Sequence, residues 1–271
     1  MTVLWIVLIT MALLWMLYLL ALRGRKGHPG LSGLRRWNYA HRGLHNESRP
    51  ENSMAAFRAA LEAGCGFELD IHLTKDGELA VIHDSSLKRV AGADVMIEDL
   101  NAADLKKYPL GGTAETVPLF RDVLALFAGK APLIVELKSA KGNQNELAEK
   151  AAGLLDSYPG SYCIESFDPK CVHWFKKNRP DVVRGQLSAN FLKDKGNLPW
   201  IVRFIMTHNL LNFWTQPDFI AYKFQDRCTL SNRLCRGLHG VQGVAWTLRT
   251  QEEHKTALRE GWIPIFENFL P

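Results

Sequence analysis

Residues 37–89 read WNYAHRGLHNESRPENSMAAFRAALEAGCGFELDIHLTKDGELAVIHDSSLKR, the most informative segment of the chain. His41 and His83 each close a short apolar run, and Glu68 and Asp70 lie inside a third run. Side chains alternate between the two faces of a strand, so these two carboxylates point the same way. Paired carboxylates on a buried strand repel each other unless a cation or a proton offsets the repulsion. The pair therefore predicts a site for a divalent cation that prefers oxygen ligands.

Short apolar runs alternate with amphipathic stretches along the rest of the chain. Nine runs are predicted strands: 37–41, 66–72, 79–83, 133–137, 162–167, 182–187, 218–222, 243–248 and 262–266. Helices are predicted between most of them: 52–63, 117–128, 145–158, 169–177, 198–214 and 251–260. This alternation predicts an α/β fold with a parallel sheet, and eight strand–helix units suit a closed TIM-type (β/α)8 barrel.

The predicted barrel is irregular. Nine candidate strands compete for eight positions, so at least one assignment is expected to be wrong. The connection from Asp70 to His83 is too short for a helix and passes through a turn at 75–77. Residues 85–116 carry little strand signal, yet they are long for a plain loop.

Residues 3–22 contain no charged side chain and are about long enough to cross a bilayer as a helix. No basic residue precedes them and no good cleavage site follows, which favours a retained membrane helix over a cleaved signal peptide. Arg23, Arg25 and Lys26 follow at once, so the positive-inside rule predicts a single-pass protein of the cell membrane whose following domain lies in the cytoplasm. The predicted organisation is a membrane helix with its basic flank at 1–26, a linker at 27–36 and a barrel domain at 37–271.

The composition is that of a globular protein, with 47% hydrophobic and 23% charged residues. The net charge of +5 suits anionic substrates or a membrane surface without deciding between them, and no nucleic-acid-binding motif is present. The five cysteines include no C-x-x-C pair, which favours reduced thiols over a disulfide framework.

Several ordered motifs resemble those of the glycerophosphodiester phosphodiesterase family. They are AHRG at 40–43, PENS at 50–53, FELDIHLTKDGELAVIHD at 67–84, IVELK at 134–138 and AWTL at 245–248. The resemblance extends from Trp37 to the C-terminus and rests on the order of the motifs rather than on one short pattern. It implies that residues 85–116 are a small insertion beside the active site.

The resemblance also implies a metal site and two catalytic residues. Glu68, Asp70 and Glu136 would bind one divalent cation, and a set of oxygen ligands suits Mg²⁺ or Ca²⁺ better than zinc. Without the resemblance, strand-end carboxylates in surface salt bridges would be an equally good interpretation. His41 and His83 would act as general acid and general base, although a lone histidine is more often a hydrogen-bonded structural residue.

Further residues would bind the substrate or support the metal site. Arg42 could clamp a phosphate through two parallel hydrogen bonds, or it could form a salt bridge with Glu51. Lys138 shares a strand face with a metal ligand and could contact the phosphate or the metal carboxylates. Trp246 could pack against the glycerol or alcohol part of the substrate, or it could be a core residue. The family's PEN motif places Glu51 and Asn52 in support of the metal site.

Two segments depart from the family pattern. The family carries a Thr-Asp pair near its C-terminus where this chain has Glu267-Asn268, and an Asn after the tryptophan motif where this chain has Arg249. Both are expected on the pocket side, where they would affect substrate preference and leave the core chemistry intact.

Residues and resemblance together predict metal-dependent hydrolysis of glycerophosphodiesters to glycerol 3-phosphate and an alcohol. A lysophospholipase D reaction on membrane lysophospholipids is an alternative, because the predicted membrane helix places the pocket near lipid. A non-catalytic module that binds lipid head groups is a third, disfavoured because both histidines and all three carboxylates are present. The expected partners are a small-molecule or lipid phosphodiester and the membrane, and no nucleic acid.

Overall fold

Eight parallel strands close into a barrel in the computed structural model, which describes residues 1–193 and 198–271. In chain order the strands are β1 Tyr39–Ala40, β2 Gly66–Leu73, β3 Leu79–Val81, β4 Leu133–Leu137, β5 Tyr162–Ser166, β6 Val183–Ser188, β7 Phe219–Lys223, β8 Gln242–Leu248 and β9 Trp262–Phe266. Apart from β3, each strand pairs in parallel with its neighbours, and β1 pairs with both β2 and β9, which closes the ring. The predicted TIM-type barrel is confirmed.

The strand β3 lies outside the ring. It pairs antiparallel with Ile71–Leu73, the end of β2, after a turn in which Gly77 has a positive φ of 79°. All nine predicted runs therefore form strands, and the expectation that at least one was wrongly assigned is itself wrong. The barrel is nevertheless irregular at this point, as predicted, because the end of β2 extends beyond the ring and pairs there with β3.

Helices surround the barrel in the described part of the chain. They are α1 Thr2–Ala21, α2 Leu31–Leu34, α3 Met54–Glu62, α4 Lys88–Ala91, α5 Phe120–Phe127, α6 Gln144–Leu155, α7 Pro169–Asn178, α8 Trp200–Thr207, α9 Asn212–Thr215, α10 Leu230–Gly237 and α11 Gln251–Arg259. The single helix predicted at 198–214 is two helices, α8 and α9. Sequence reasoning missed α10, since LSNRLCRG has few apolar residues to mark a buried face.

Apolar side chains form an inner layer inside the barrel and an outer layer between strands and helices. Phe219 and Ile263 belong to the inner layer, and Phe57 and Phe67 pack in the outer one with ring centroids 4.7 Å apart. The Phe219 ring fills the space beside Gly185 on β6, where a Cβ would lie 2.0 Å from the ring. This close approach requires glycine at position 185.

The segment before β1 packs across the base of the barrel, at the amino ends of the strands. Leu31 and Leu34 of α2 are buried in the inner apolar layer. Upstream, Arg25 forms two hydrogen bonds of 2.6 Å with the carboxylate of Asp218, directly before β7. The stretch 27–36, which the sequence suggests is a linker, thus helps to close the base of the barrel.

Residues 85–116 pack beside the β2–β3 hairpin. They contain α4 and three short 3₁₀ turns, Ile97–Asp99, Ala102–Lys107 and Leu110–Gly112. An apolar cluster of their own, with Leu87, Ile97 and Leu105, joins Ile82 at the end of the hairpin. The insertion is thereby packed against the β2–β3 hairpin, at the carboxyl ends of the barrel strands.

Among the described residues, only α1 is long and apolar enough to cross a membrane, with a mean hydropathy of 2.5. A signal sequence near an N-terminus would satisfy the same criteria, so α1 is a candidate for either.

Candidate active site

The carboxyl ends of the barrel strands surround a pocket at which the sequence-predicted residues meet. Its lining consists of His41, Arg42, Glu68, His83, Glu136, Lys138, Glu165, Phe167, Leu187, Trp246 and Ile265. The remaining predicted residues, Asp70, Glu51 and Asn52, join this lining through hydrogen bonds and ion pairs. The structure therefore brings together every residue assigned to the site from the sequence.

Glu68, Asp70 and Glu136 form a carboxylate cluster on β2 and β4. Asp70 and Glu136 are register partners, and each of the three residues offers an oxygen within 4.8 Å of the others. All three are buried, with at most 5% of the residue exposed. Burial, then repulsion from its neighbours, raises the pKa of Glu68 well above its ordinary value. Burial also raises the pKa of Glu136 to about 7, with Lys138 opposing the shift and Asp70 adding to it.

Two cations and one amide face this cluster. Lys138 Nζ lies 2.7 Å from Glu136 Oε1 and 3.2 Å from Asp70 Oδ1, and Arg42 Nε lies 3.5 Å from Asp70 Oδ2. The side-chain amide of Asn52 donates to Asp70 Oδ2 at 2.8 Å. Burial by itself would raise the pKa of Asp70, but the surrounding positive side chains, Lys138 first, hold it far below its ordinary value. Asp70 is therefore ionised at neutral pH.

The carboxylates outnumber the cations. A fourth, Glu165 on β5, is the register partner of Glu136, and burial, reinforced by Glu136, raises its pKa well above its ordinary value. Lys138 is the cation nearest to Asp70 Oδ1 and Glu136 Oε1, and Glu165 Oε2 is buried without a hydrogen-bond partner among the described residues. Four carboxylates against Lys138 and Arg42 suit a divalent cation that prefers oxygen ligands. The residues present thus fit Mg²⁺ or Ca²⁺.

The β2–β3 hairpin delivers His83 to the pocket. Because β3 runs back toward the ring, the Ile82 amide donates to the Asp70 carbonyl at 3.0 Å, and His83 comes next. His83 Nδ1 lies 2.6 Å from Asp84 Oδ1, and His72 Nε2 lies 3.1 Å from the His83 carbonyl. Burial lowers the pKa of His83, while Asp70 and Asp84 oppose the shift. The route differs from the expected one, in which His83 ends a barrel strand.

His41 follows β1 directly and is held by the C-terminal tail. Its amide donates to the Phe266 carbonyl at 2.9 Å, and its Nδ1 lies 2.7 Å from Glu267 Oε2. Arg249 Nη2 approaches the same carboxylate oxygen at 3.4 Å. The hydrogen bond with His41 lowers the pKa of Glu267 to about 2, and burial lowers the pKa of His41 against the opposing effect of Glu267. The two departures from the family pattern therefore bear on this histidine and not on substrate preference alone.

Arg42 occupies a strained turn between the carboxylates. Its φ is 55°, and in this conformation its amide donates to Glu68 Oε2 at 3.0 Å while its carbonyl accepts from the Asn52 amide at 2.9 Å. Its guanidinium donates to Glu51 at 2.9 Å, and Arg89 donates to the same carboxylate. The salt bridge considered from the sequence is therefore present. The guanidinium also borders the pocket, where the predicted phosphate clamp would act.

Apolar side chains form one wall of the pocket. The rings of Trp246 and Phe167 meet edge to face, with centroids 5.7 Å apart and planes at 87°, and Leu187 and Ile265 extend the surface. Trp246 Nε1 is buried without a hydrogen-bond partner in the described chain. The indole lines the pocket and also packs against the inner apolar layer.

Sequence analysis assigned no site role to Glu165 or Asp84, and it connected Glu267 only with substrate preference. Glu165 had a signal, a carboxylate inside the apolar run YCIESF, of the same kind that marks Glu68 in GFELD. Asp84 follows His83 directly, yet its contact with the ring depends on how the hairpin turns. Glu267 lies 226 positions from His41, and no local pattern connects two residues at that separation.

Comparison with known sequences gives one consistent result. A family model described as the glycerophosphoryl diester phosphodiesterase family matches residues 41–270. A glycerophosphodiester phosphodiesterase of Caldanaerobacter subterraneus subsp. tengcongensis is 33% identical over 233 residues, which cover 82% of this chain and 89% of that protein. A lysophospholipase D of Homo sapiens is 35% identical over 133 residues, or 44% of this chain and 40% of that protein.

Solved structures share the fold. A phosphodiesterase from Oleispira antarctica, in complex with the product sn-glycerol-3-phosphate, superposes with a TM-score of 0.72 at 20% identity, covering 91% of this chain and 96% of that one. A glycerophosphodiester phosphodiesterase from Thermotoga maritima gives a TM-score of 0.63 at 24% identity, covering 85% and 93%. At these identities the likeness concerns the barrel and its connections.

Proposed function

The chain belongs to the glycerophosphoryl diester phosphodiesterase family and is a phosphoric diester hydrolase, and from this premise we propose that it cleaves glycerophosphodiesters to glycerol 3-phosphate and an alcohol with one bound divalent cation. The observation that carries the proposal is the buried cluster of Glu68, Asp70 and Glu136 in one pocket with His41 and His83. The glycerol 3-phosphate in the structurally similar Oleispira antarctica enzyme supports the choice of product.

Glu68, Asp70 and Glu136 would hold the cation. When bound, Mg²⁺ or Ca²⁺ supplies Lewis-acid stabilisation of negative charge on the phosphate. Lys138 and Arg42 would bind the non-bridging oxygens and keep the phosphorus atom between the histidines. Trp246 would pack against the glycerol or the alcohol part of the substrate.

Two proton transfers accompany the displacement at phosphorus. One histidine takes a proton from the hydroxyl of the nucleophile as its oxygen bonds to phosphorus. The bond from phosphorus to the leaving oxygen breaks, and the other histidine gives its proton to that oxygen. Glu267 and Asp84 engage Nδ1 of His41 and His83, which leaves Nε2 of each ring for these transfers. The nucleophile is water or the neighbouring glycerol hydroxyl, and the hydroxyl route forms a cyclic phosphate that water then opens.

Cation binding and activity of carboxylate variants test this proposal. Glu68→Gln, Asp70→Asn and Glu136→Gln should each abolish hydrolysis and weaken Mg²⁺ or Ca²⁺ binding measured by calorimetry. Glu252→Gln, which changes an exposed carboxylate on α11, is the matched control. Undiminished cation binding in all three variants, or full activity after chelation of the wild type, would refute the metal assignment.

A lysophospholipase D reaction is the second candidate, favoured by the apolar wall of the pocket. Phe167, Leu187 and Trp246 offer a surface to an apolar substrate chain, and the human relative carries that activity in its name. The ratio of kcat/KM for lysophosphatidylcholine and glycerophosphocholine decides between the two reactions. A non-catalytic head-group-binding module would hydrolyse neither.

The helix α1 is the proposed membrane anchor, with the basic residues after it keeping the catalytic domain in the cytoplasm. The full chain should remain in the membrane fraction through alkaline carbonate extraction, with its original N-terminus intact. A soluble protein that has lost residues 1–22 would instead identify a signal sequence.

A further inference from the structure

We infer that the mouth of the barrel faces the bilayer, and that exposed apolar side chains at the start of α8 rest on the lipid surface. The inference rests on the proposed function in one respect, that α1 is held in a membrane. It concerns the orientation of the catalytic domain, which the presence of an anchor alone leaves open.

The end of α1 is attached to the base of the barrel. The Leu22 carbonyl accepts from Asn212 Nδ2 at 3.4 Å and from Cys235 Sγ at 3.5 Å. Asn212 belongs to α9, shortly before β7, and Cys235 lies near the end of α10, shortly before β8. Both positions are at the amino ends of the barrel strands, so Leu22 is anchored on the side away from the pocket.

From this anchor point α1 leads back toward the mouth. Tyr18, one turn before Leu22, lies beside Ser231, which is one turn before Cys235 in α10. Because α10 follows β7 and precedes β8, it begins on the mouth side and ends at the base. The helices α1 and α10 therefore run in the same direction, and the earlier turns of α1 point to the mouth side.

The length of α1 carries it past the barrel. Ser231 is the second residue of α10, so Tyr18 already lies near the mouth end of that helix. Residues 1–17 are all exposed, and at 1.5 Å per residue they extend roughly 25 Å further. About 17 residues are at the lower end of what a spanning helix needs. A bilayer that holds this part of α1 therefore lies on the mouth side of the barrel.

Exposed apolar side chains occur on the same side. Leu198, Trp200 and Ile201 are 45%, 59% and 56% exposed, and they stand where the chain enters α8 after β6. Leu230, at the start of α10, is 55% exposed. Tryptophan is enriched where proteins meet the membrane–water interface, and apolar side chains around it gain free energy on entering lipid. These four side chains suit a lipid surface.

The apolar wall of the pocket continues toward this rim. A second cavity, lined by Ile205 and Met206 of α8, shares Phe167 and Leu187 with the catalytic pocket. A phosphodiester with an apolar tail would therefore meet apolar side chains from the catalytic pocket toward α8. The orientation favours a substrate that resides in the bilayer.

Lipid-dependent quenching tests the orientation in the full-length protein in nanodiscs. Among the described cysteines, Cys228 alone is exposed, and it lies between β7 and α10 on the mouth side. A fluorophore on Cys228 should be quenched strongly by nitroxides at the lipid head-group level. The control is Cys228→Ser with Leu258→Cys, which moves the label to the base end of α11, where Leu258 is 50% exposed. Its quenching should be several-fold weaker.

The outcomes separate orientation from anchoring. Equal or stronger quenching at position 258 overturns the inference, and so does weak quenching at both positions in protein that stays in the nanodisc. Protein that fails to enter nanodiscs refutes the anchor, and the orientation falls with it.

Activity provides an independent readout. Trp200→Ser with Ile201→Ser should lower kcat/KM for lysophospholipid in bilayers by about tenfold, which corresponds to about 1.4 kcal/mol of lost surface contact. Hydrolysis of a soluble glycerophosphodiester should be unchanged. The matched change on the base side, Leu238→Ser with Leu258→Ser, should affect neither substrate. Equal losses from the two double variants would overturn the inference.

Discussion

His41 and His83 have the same local arrangement, an imidazole whose Nδ1 is paired with a carboxylate. The partners are Glu267 at 2.7 Å and Asp84 at 2.6 Å. Burial lowers the pKa of both histidines, and each carboxylate opposes that shift. The carboxylates thus keep the imidazoles closer to the pH range in which proton transfer is effective, and they fix the ring orientations.

Removing one carboxylate should move one limb of the pH–rate profile. Glu267→Gln takes away an effect that raises the pKa of His41, so the limb governed by His41 should shift to lower pH. This is the acid limb if His41 is the base and the alkaline limb if it is the acid. Asp84→Asn should shift the other limb in the same direction. Each variant should lose about tenfold to a hundredfold in kcat, the range found when the hydrogen-bond partner of a metal-ligating histidine is removed.

The full pH dependence of kcat/KM for both variants is the measurement, with Glu252→Gln as the control. The identity of the limb that moves in each variant assigns the acid and the base. If both variants shift the same limb, or neither shifts any, the two-histidine mechanism is untenable.

Glu136 should make stability depend on pH in the absence of a cation. Burial raises its pKa to about 7 in the folded protein, above the ordinary 4.5. The folded state therefore binds this proton more tightly, and stability falls as pH rises between these values, by on the order of 3 kcal/mol. Thermal unfolding with a chelator should show Tm falling over this range in the wild type and less steeply in Glu136→Gln.

Added Mg²⁺ or Ca²⁺ should reverse this trend, because the cation binds the ionised carboxylates. At a concentration 100 times the Kd, binding adds about 2.7 kcal/mol. The gain in Tm should be larger above pH 7 than near pH 5. A gain that does not depend on pH would argue against ligation by Glu136.

At the level of secondary structure, an aromatic ring on one barrel strand occupies the space that a side chain on the neighbouring strand would need. A Cβ on Gly185 of β6 would lie 2.0 Å from the Phe219 ring of β7. Gly185→Ala should therefore destabilise the protein by about 1–3 kcal/mol, the usual cost of overpacking. Urea unfolding measures the change.

Gly153 in α6 is the matched control, since nothing lies within 4 Å of the position of its Cβ. Gly153→Ala should stabilise the protein by about 0.4–1 kcal/mol through lower entropy of the unfolded chain. Equal effects of the two substitutions would show that the barrel accommodates a side chain at position 185.

On the scale of the whole molecule, one ion pair joins the N-terminal segment to the barrel base. Asp218 is fully buried, and Arg25 is its bidentate partner. Arg25→Met leaves the carboxylate without this partner and should cost about 3–5 kcal/mol. Arg25→Met with Asp218→Asn should recover much of that loss, and Lys26→Ala, at an exposed neighbour, should change stability by less than about 0.5 kcal/mol.

Urea unfolding of these variants measures the coupling between Arg25 and Asp218. If the double variant is no more stable than Arg25→Met, the buried charge is not the cause of the loss. The same pair indicates that a soluble form of the enzyme should start at Arg23, so that it retains Arg25.

Local sequence was sufficient for the strands and the fold class, and the family motifs named residues that the structure brings together in one pocket. Apolar runs of strand length, and carboxylates inside them, can be recognised within a few residues, as in GFELD and IVELK. The family motifs occur in the same order along the chain.

Tertiary structure decided the rest. Whether β3 enters the ring depends on which strand it pairs with, and the contact of Glu267 with His41 depends on closure of the barrel by β1 and β9. The docking of residues 22–36 on the base depends likewise on partners such as Asp218, nearly two hundred positions away. Periodicity reports which side of an element is buried, whereas pairing across the barrel is set by contacts between segments that the sequence does not place side by side.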